Sequence, residues 1–154
     1  MRPRARQQKP SSRDQAIGTA VAKTIRQTVE FDAPPHAIYD ALMDPKTHAA
    51  FTGEKARIDP RVGGAFSVWD GYATGEAVRL ERDKVIVQSW RTTEFATDDP
   101  DSKVMFHFSH KGKGTRLIFV HSGVPEGLAD DIAQGWIDFY WTPMKAFLAK
   151  ARRK

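Results

Sequence analysis

Cysteine is absent from this 154-residue chain. That removes disulfides, a thiolate nucleophile and cysteine-ligated zinc from the chemistry available to it. Long apolar runs are missing too, and none approaches the roughly 18 residues that a membrane-spanning helix needs. The basic N-terminal segment lacks the apolar stretch of a secretory signal, so a cytoplasmic protein is expected. The chain also has no GxSxG nucleophile elbow, no HExxH pair and no glycine-rich phosphate loop, which leaves the common hydrolase, zinc-protease and nucleotide signatures unrepresented. Neither a metal nor a cofactor is expected. A chain of this length folds as one domain and buries a substantial core.

Positive charge is scarce where it would matter for nucleic acid. The formal net charge is +5, but the excess sits at the ends. Arg2, Arg4, Arg6, Lys9, Arg13 and Lys23 face only Asp14, and Lys145, Lys150, Arg152, Arg153 and Lys154 close the chain. The body between them holds more acidic than basic residues. A nucleic-acid reader carries its positive patch on folded structure, so no nucleic-acid partner is expected. The organisation read from this pattern is a basic, mostly disordered tail over 1–22, one domain over 23–150 and a basic end over 151–154.

Within the body the periodicity is that of strands. Residues 24–32 alternate, with Ile25, Val29 and Phe31 on one face. Pro34 and Pro35 fit only the first turn of a helix, and Ile38, Tyr39, Leu42 and Met43 continue it. Asp44-Pro45 restarts a second short helix, with Asp44 as cap and Pro45 in its first turn, ending before Gly53. Strands are then predicted over 57–59, 65–69, 72–82, 84–93, 103–110 and 115–122. Asp70-Gly71 and Arg82-Asp83 supply tight turns, and an acidic loop over 96–102 carries Asp98, Asp99 and Asp101. His107 and His110, three apart on a strand, face opposite sides and make no shared metal site.

The sequence ends in a long helix over 128–148. At about 100° per residue, its apolar side chains cover an arc of roughly 200°, twice that of an ordinary surface helix. Only Asp131, Gln134, Asp138, Thr142 and Lys145 mark a wet face. Pro143 removes one helical hydrogen bond and should kink the helix. A helix this apolar must be gripped on more than one side, and an antiparallel sheet with one apolar face needs such a cover.

Several motifs carry a resemblance. WDGYATGE (69–76), QSWR (88–91), GTRLIFVHSGVP (114–125) and GWIDFYWTPM (135–144) resemble the activator of heat-shock protein 90 ATPase homologue family. That family lies within the START-like (SRPBCC) superfamily, and FDAPPHAIYDALMDP (31–45) is similar to the superfamily's first strand and paired helices. The resemblance spans about 24–148. It implies an α+β helix-grip fold, a curved antiparallel sheet of six to seven strands around a long C-terminal helix, with two short helices after strand 1. It also implies a cavity between sheet and helix.

On that fold Phe66, Val68, Trp90, Phe106, Phe108 and Phe119 from the sheet meet Trp136, Phe139 and Tyr140 from the helix. Gln88 and His121 are the inward-facing polar handles, and Glu76 could join His121 in acid–base work. The expected function is binding of a small apolar or aromatic ligand in this cavity, without catalysis. A chaperone-interacting module, with the acidic loop as a contact, and a cavity enzyme of polyketide cyclase type are the alternatives.

Overall fold

The alternation of the first strand sets the frame. In the computed structural model, which describes residues 22–152, β1 runs from Ala22 to Phe31 and buries Ile25, Val29 and Phe31. The tails expected at either end lie, apart from Ala22 and residues 151–152, outside the described residues. Pro35 opens α1 (Pro35–Met43), and Asp44 caps α2 (Pro45–Thr52), its carboxylate accepting from the Thr47 backbone N–H. Gly53, at φ 78°, ends α2 in the left-handed conformation that glycine adopts without strain.

Six further strands follow: β2 (Arg57–Ile58), β3 (Ala65–Val68), β4 (Ala73–Glu81), β5 (Val85–Thr92), β6 (Ser102–Lys111) and β7 (Gly114–Pro125). They form an antiparallel sheet in the order β1-β7-β6-β5-β4-β3-β2, with the first strand closing beside the last. The fold is thus the helix-grip α+β arrangement. The Asp70-Gly71 turn has both central residues at positive φ (54° and 91°), as a type I′ hairpin requires. Trp69 before it is also left-handed, at φ 57°.

One strand departs from simple alternation. A register shift between Ala77 and Arg79 is a β-bulge, and it moves the phase of β4. Ala73 and Ala77 face the core, whereas Glu76 and Val78 are exposed. The expected pairing of Glu76 with His121 therefore does not form.

The terminal helix comes in three pieces: α3 (Glu126–Trp136), a π-helical turn (Ile137–Trp141) and α4 (Thr142–Arg152). Pro143 has no N–H to give the Phe139 carbonyl, and the chain resolves this by widening just before it rather than by a simple kink. Thr142 N–H bonds to the Ile137 carbonyl five residues back. The extra residue lets both Tyr140 and Trp141 turn inward, in line with Leu128, Ile132 and Trp136 before them and Met144 and Leu148 after. The broad apolar arc is therefore a change of phase, and Ile137 is left 39% exposed. Gln27 on β1 secures the wide turn. Its Nε2 donates to the Ala133 carbonyl at 2.9 Å and its Oε1 accepts from Trp141 Nε1 at 2.6 Å. Ala133 is free to accept because the Ile137 N–H bonds to Gln134 instead.

Candidate functional site

Between sheet and helix the aromatic side chains sort into a filled part and an open part. In the filled part, Phe119 lies under Trp136 with ring centroids 4.5 Å apart, and Phe106 packs on Phe119 at 5.2 Å. His121 is fully buried here. Trp136 Nε1 donates to its Nδ1 at 3.1 Å, so the ring proton sits on Nε2 and is given to Ser102 Oγ at 2.8 Å. Ser102 Oγ in turn donates to the Trp90 carbonyl at 2.6 Å. Every donor and acceptor of that chain is matched inside the protein. Burial holds His121 down to about 3, well below an ordinary histidine, so it stays neutral.

Both ring nitrogens of His121, expected as a polar handle, are thus engaged within the protein. Phe119 is enclosed by its neighbours' rings, and Phe108 borders a separate surface pocket beside Pro34 and Arg82. Phe108 packs edge-on against Tyr39 at 6.1 Å.

A chamber of about 20 Å³ lies beyond this filled part, lined by Leu42, His48, Ile58, Phe66, Val68, Gln88, Trp90, Phe106, Trp136 and Tyr140. Seven of the eleven residues expected to line a cavity meet there, but the space is about that of one water molecule. Gln88 turns its Nε2 toward Met43 Sδ at 3.8 Å. His48, which the sequence did not single out, is buried, and its Nε2 lies 3.1 Å from the Tyr140 hydroxyl. Burial pushes His48 down to about 3 and Tyr140 well above an ordinary phenol, with a hydrogen bond from Trp69 working against the latter. The other ring nitrogen of His48, Nδ1, has no hydrogen-bond partner among the described residues.

The open part is a cleft of about 300 Å³ at the hairpin end of the helix. Its walls are Trp69, Tyr72, Trp90, Trp136, Phe139 and Tyr140, its floor includes Ile132 and Gly135, and Asp131, Gln134 and Asp138 form the polar margin. Trp69 meets Phe139 at 5.6 Å and Tyr140 at 5.9 Å, both edge-on. Tyr72 donates to Glu94 Oε1 at 2.8 Å, and burial, reinforced by that carboxylate, raises its hydroxyl above the usual range. Of the residues expected at a ligand site, Trp90, Trp136, Phe139 and Tyr140 line this cleft, and the first, second and fourth also wall the chamber.

Sequence reasoning missed Trp69 for a physical reason. Alternation in β3 places it opposite Phe66 and Val68, and only its left-handed backbone swings the ring back inward. The signal available was its position just before Asp-Gly. Asp131 and Asp138 were read as a solvated helix face, which they are, but one that borders the cleft.

The expected acidic contact surface is largely used up internally. Arg91 donates to Asp101 Oδ1 at 2.8 Å and to the Asp99 and Ala96 carbonyls, and Asp99 Oδ2 accepts from the Ala96 N–H.

The sequence profile of the family described as activator of Hsp90 ATPase homolog 1-like protein matches residues 32–149. An uncharacterised protein of Schizosaccharomyces pombe is 34% identical over 88% of this chain and 40% of its own length. An activator of 90 kDa heat shock protein ATPase homolog from Dictyostelium discoideum is 30% identical over 74% of this chain and 30% of its own length. The chain thus spans less than half the length of the curated relatives it matches. Among solved structures, an HSP90 activator from Plasmodium falciparum superposes with a TM-score of 0.77 at 26% identity, covering 82% of this chain and 96% of that one. No helix among the described residues is long and apolar enough to cross a membrane.

Proposed function

We propose that this chain, which belongs to the activator of Hsp90 ATPase homolog 1-like family, holds a small hydrophobic or aromatic molecule in the cleft between its hairpin and its terminal helix. The observation that carries this reading is that three locally unfavourable features converge on one cleft. Trp69 is a bulky residue in left-handed backbone, which costs about 1–3 kcal/mol. Gly135 sits inside a helix, about 1 kcal/mol worse than alanine, yet a Cβ there would meet only Phe139 Cδ2, at 3.9 Å. The helix also spends a π turn beside it, a feature frequent at functional sites. Packing gives no reason for glycine at 135. An uncovered floor for a ligand does.

The ligand belongs in the cleft rather than in the chamber, because about 20 Å³ admits no substrate ring. A reaction inside the chamber finds no support on that account. Titration with meta-tert-butylphenol, read by the rise in melting temperature, tests the reading. A saturable rise that Gly135→Leu abolishes is expected. No rise at millimolar probe, or one that Gly135→Leu leaves intact, would overturn it.

A second reading rests on the relatives. Proteins named as activators of the 90 kDa heat-shock ATPase share this domain, so the chain is proposed to contact the corresponding chaperone. Because Asp99 and Asp101 are tied to their own loop, that contact should depend little on them. A pull-down with the chaperone that is unchanged by Asp98→Asn is expected, and absence of binding together with unaltered ATP turnover would remove the proposal.

A further inference from the structure

Three of the four tryptophans spend their indole N–H inside the fold. Trp136 donates to His121, Trp141 donates to Gln27, and Trp69 hydrogen-bonds Tyr140. Trp90 is different. It is only 5% exposed, and it walls both the cleft and the chamber. Among the described residues nothing accepts from its Nε1. Unlike Nδ1 of His48, that atom is not sealed from solvent. A buried indole N–H ordinarily finds a partner, so Trp90 keeps a donor in reserve.

The ring is held in place around that donor. His121, Trp136 and Phe95 pack against it with centroids at 4.7, 5.4 and 6.5 Å. The other polar groups of the cleft walls are taken. Tyr72 donates to Glu94, the Tyr140 hydroxyl is shared with His48, and Gln134 at the margin donates to Asp138. A wholly apolar guest that covers Trp90 strips its N–H of water and returns nothing. A guest with a carbonyl oxygen at that point makes good the loss. A site built around a hydrogen bond rejects the analogue that lacks it. Among the described residues no lysine, arginine or histidine lines the cleft, so nothing there favours a carboxylate over a neutral carbonyl.

We infer that Trp90 Nε1 is the specificity determinant of the cleft, and that the ligand it selects is a neutral carbonyl compound, a ketone or ester on an apolar or aromatic body. The inference rests on reading the cleft as a ligand site, and its test separates the two. The probes are acetophenone and α-methylstyrene, which share ring and shape and differ in carrying C=O or C=CH2. Binding to the full chain is followed by the indole N–H resonances.

Acetophenone is expected to move the Trp90 resonance downfield, as a new hydrogen bond requires, whereas α-methylstyrene should not. This comparison uses the unaltered protein. In Trp90→Phe, with affinities read from the Trp69 resonance, acetophenone should lose about fivefold in affinity and α-methylstyrene less than about twofold. A Trp90 resonance that both probes move alike, or equal losses in the variant, would overturn the carbonyl selectivity and leave the cleft as a ligand site. Binding of neither probe would overturn the inference, and the reading beneath it falls with it only if meta-tert-butylphenol also fails to bind.

Discussion

The two ends of the helix–sheet interface are built from the same materials and put to different uses. At the closed end Phe106, Phe119, Trp136 and His121 fill the space, and His121 has partners on both ring nitrogens. At the open end Trp69, Tyr72, Phe139 and Tyr140 leave about 300 Å³ between them, and the local rules of backbone and helix are broken at Trp69 and Gly135. A buried aromatic or histidine is therefore no signal of a site by itself. What sets the open end apart is unfavourable local structure at Trp69 and Gly135 around a space left unfilled.

The largest effect expected from either end is acid lability. His48 and His121 are both held neutral in the fold at about 3, against an ordinary 6.5. Below pH 6.5 the unfolded chain binds protons that the fold does not, so stability is intact above that value and falls as pH drops toward 3. The slope is about 1.4 kcal/mol per pH unit for each histidine. Urea denaturation across this range should show the combined slope. His48→Gln should roughly halve it, and an unchanged slope would mean that His48 is not the neutral buried group described.

Next in size is truncation of an aromatic ring. Phe119→Ala at the closed end should cost about 3–5 kcal/mol, because Phe119 is fully buried. Phe139→Ala, at the half-buried cleft wall, should cost less than half as much by the same denaturation assay. Equal losses would erase the distinction between the ends.

The smallest effect has the opposite sign. Gly135→Ala should raise stability by up to about 1 kcal/mol, since the helix gains propensity and meets no clash, while weakening binding of meta-tert-butylphenol. A melting temperature that falls would show that Gly135 serves packing after all.

Much of the fold was legible in the sequence. Alternation located the strands, Asp44-Pro45 located the second short helix, and the apolar breadth of the last helix announced that it is gripped. The site was less legible because its defining features are departures from pattern. The bulge after Ala77 turned Glu76 out to solvent, and the positive φ of Trp69 turned its ring in. His48 is hidden in a polar-looking helix, and the π turn converted an apparently wide apolar face into two successive inward residues. Gln27 shares the inward phase of Ile25, Val29 and Phe31, so its role beneath the π turn was within reach of the same alternation. The resemblance implied one cavity, whereas Trp90, Trp136 and Tyr140, which line both spaces, stand between a near-filled chamber and an open cleft.

The most direct test uses the four tryptophans as position markers. Their indole N–H resonances report Trp69 in the cleft wall, Trp90 and Trp136 between cleft and chamber, and Trp141 outside both, where it is bound to Gln27. On titration with meta-tert-butylphenol, the Trp69 resonance should shift most and that of Trp141 should stay in place. A Trp141 shift as large as that of Trp69, or no shift at any indole, would contradict a ligand site at the open end.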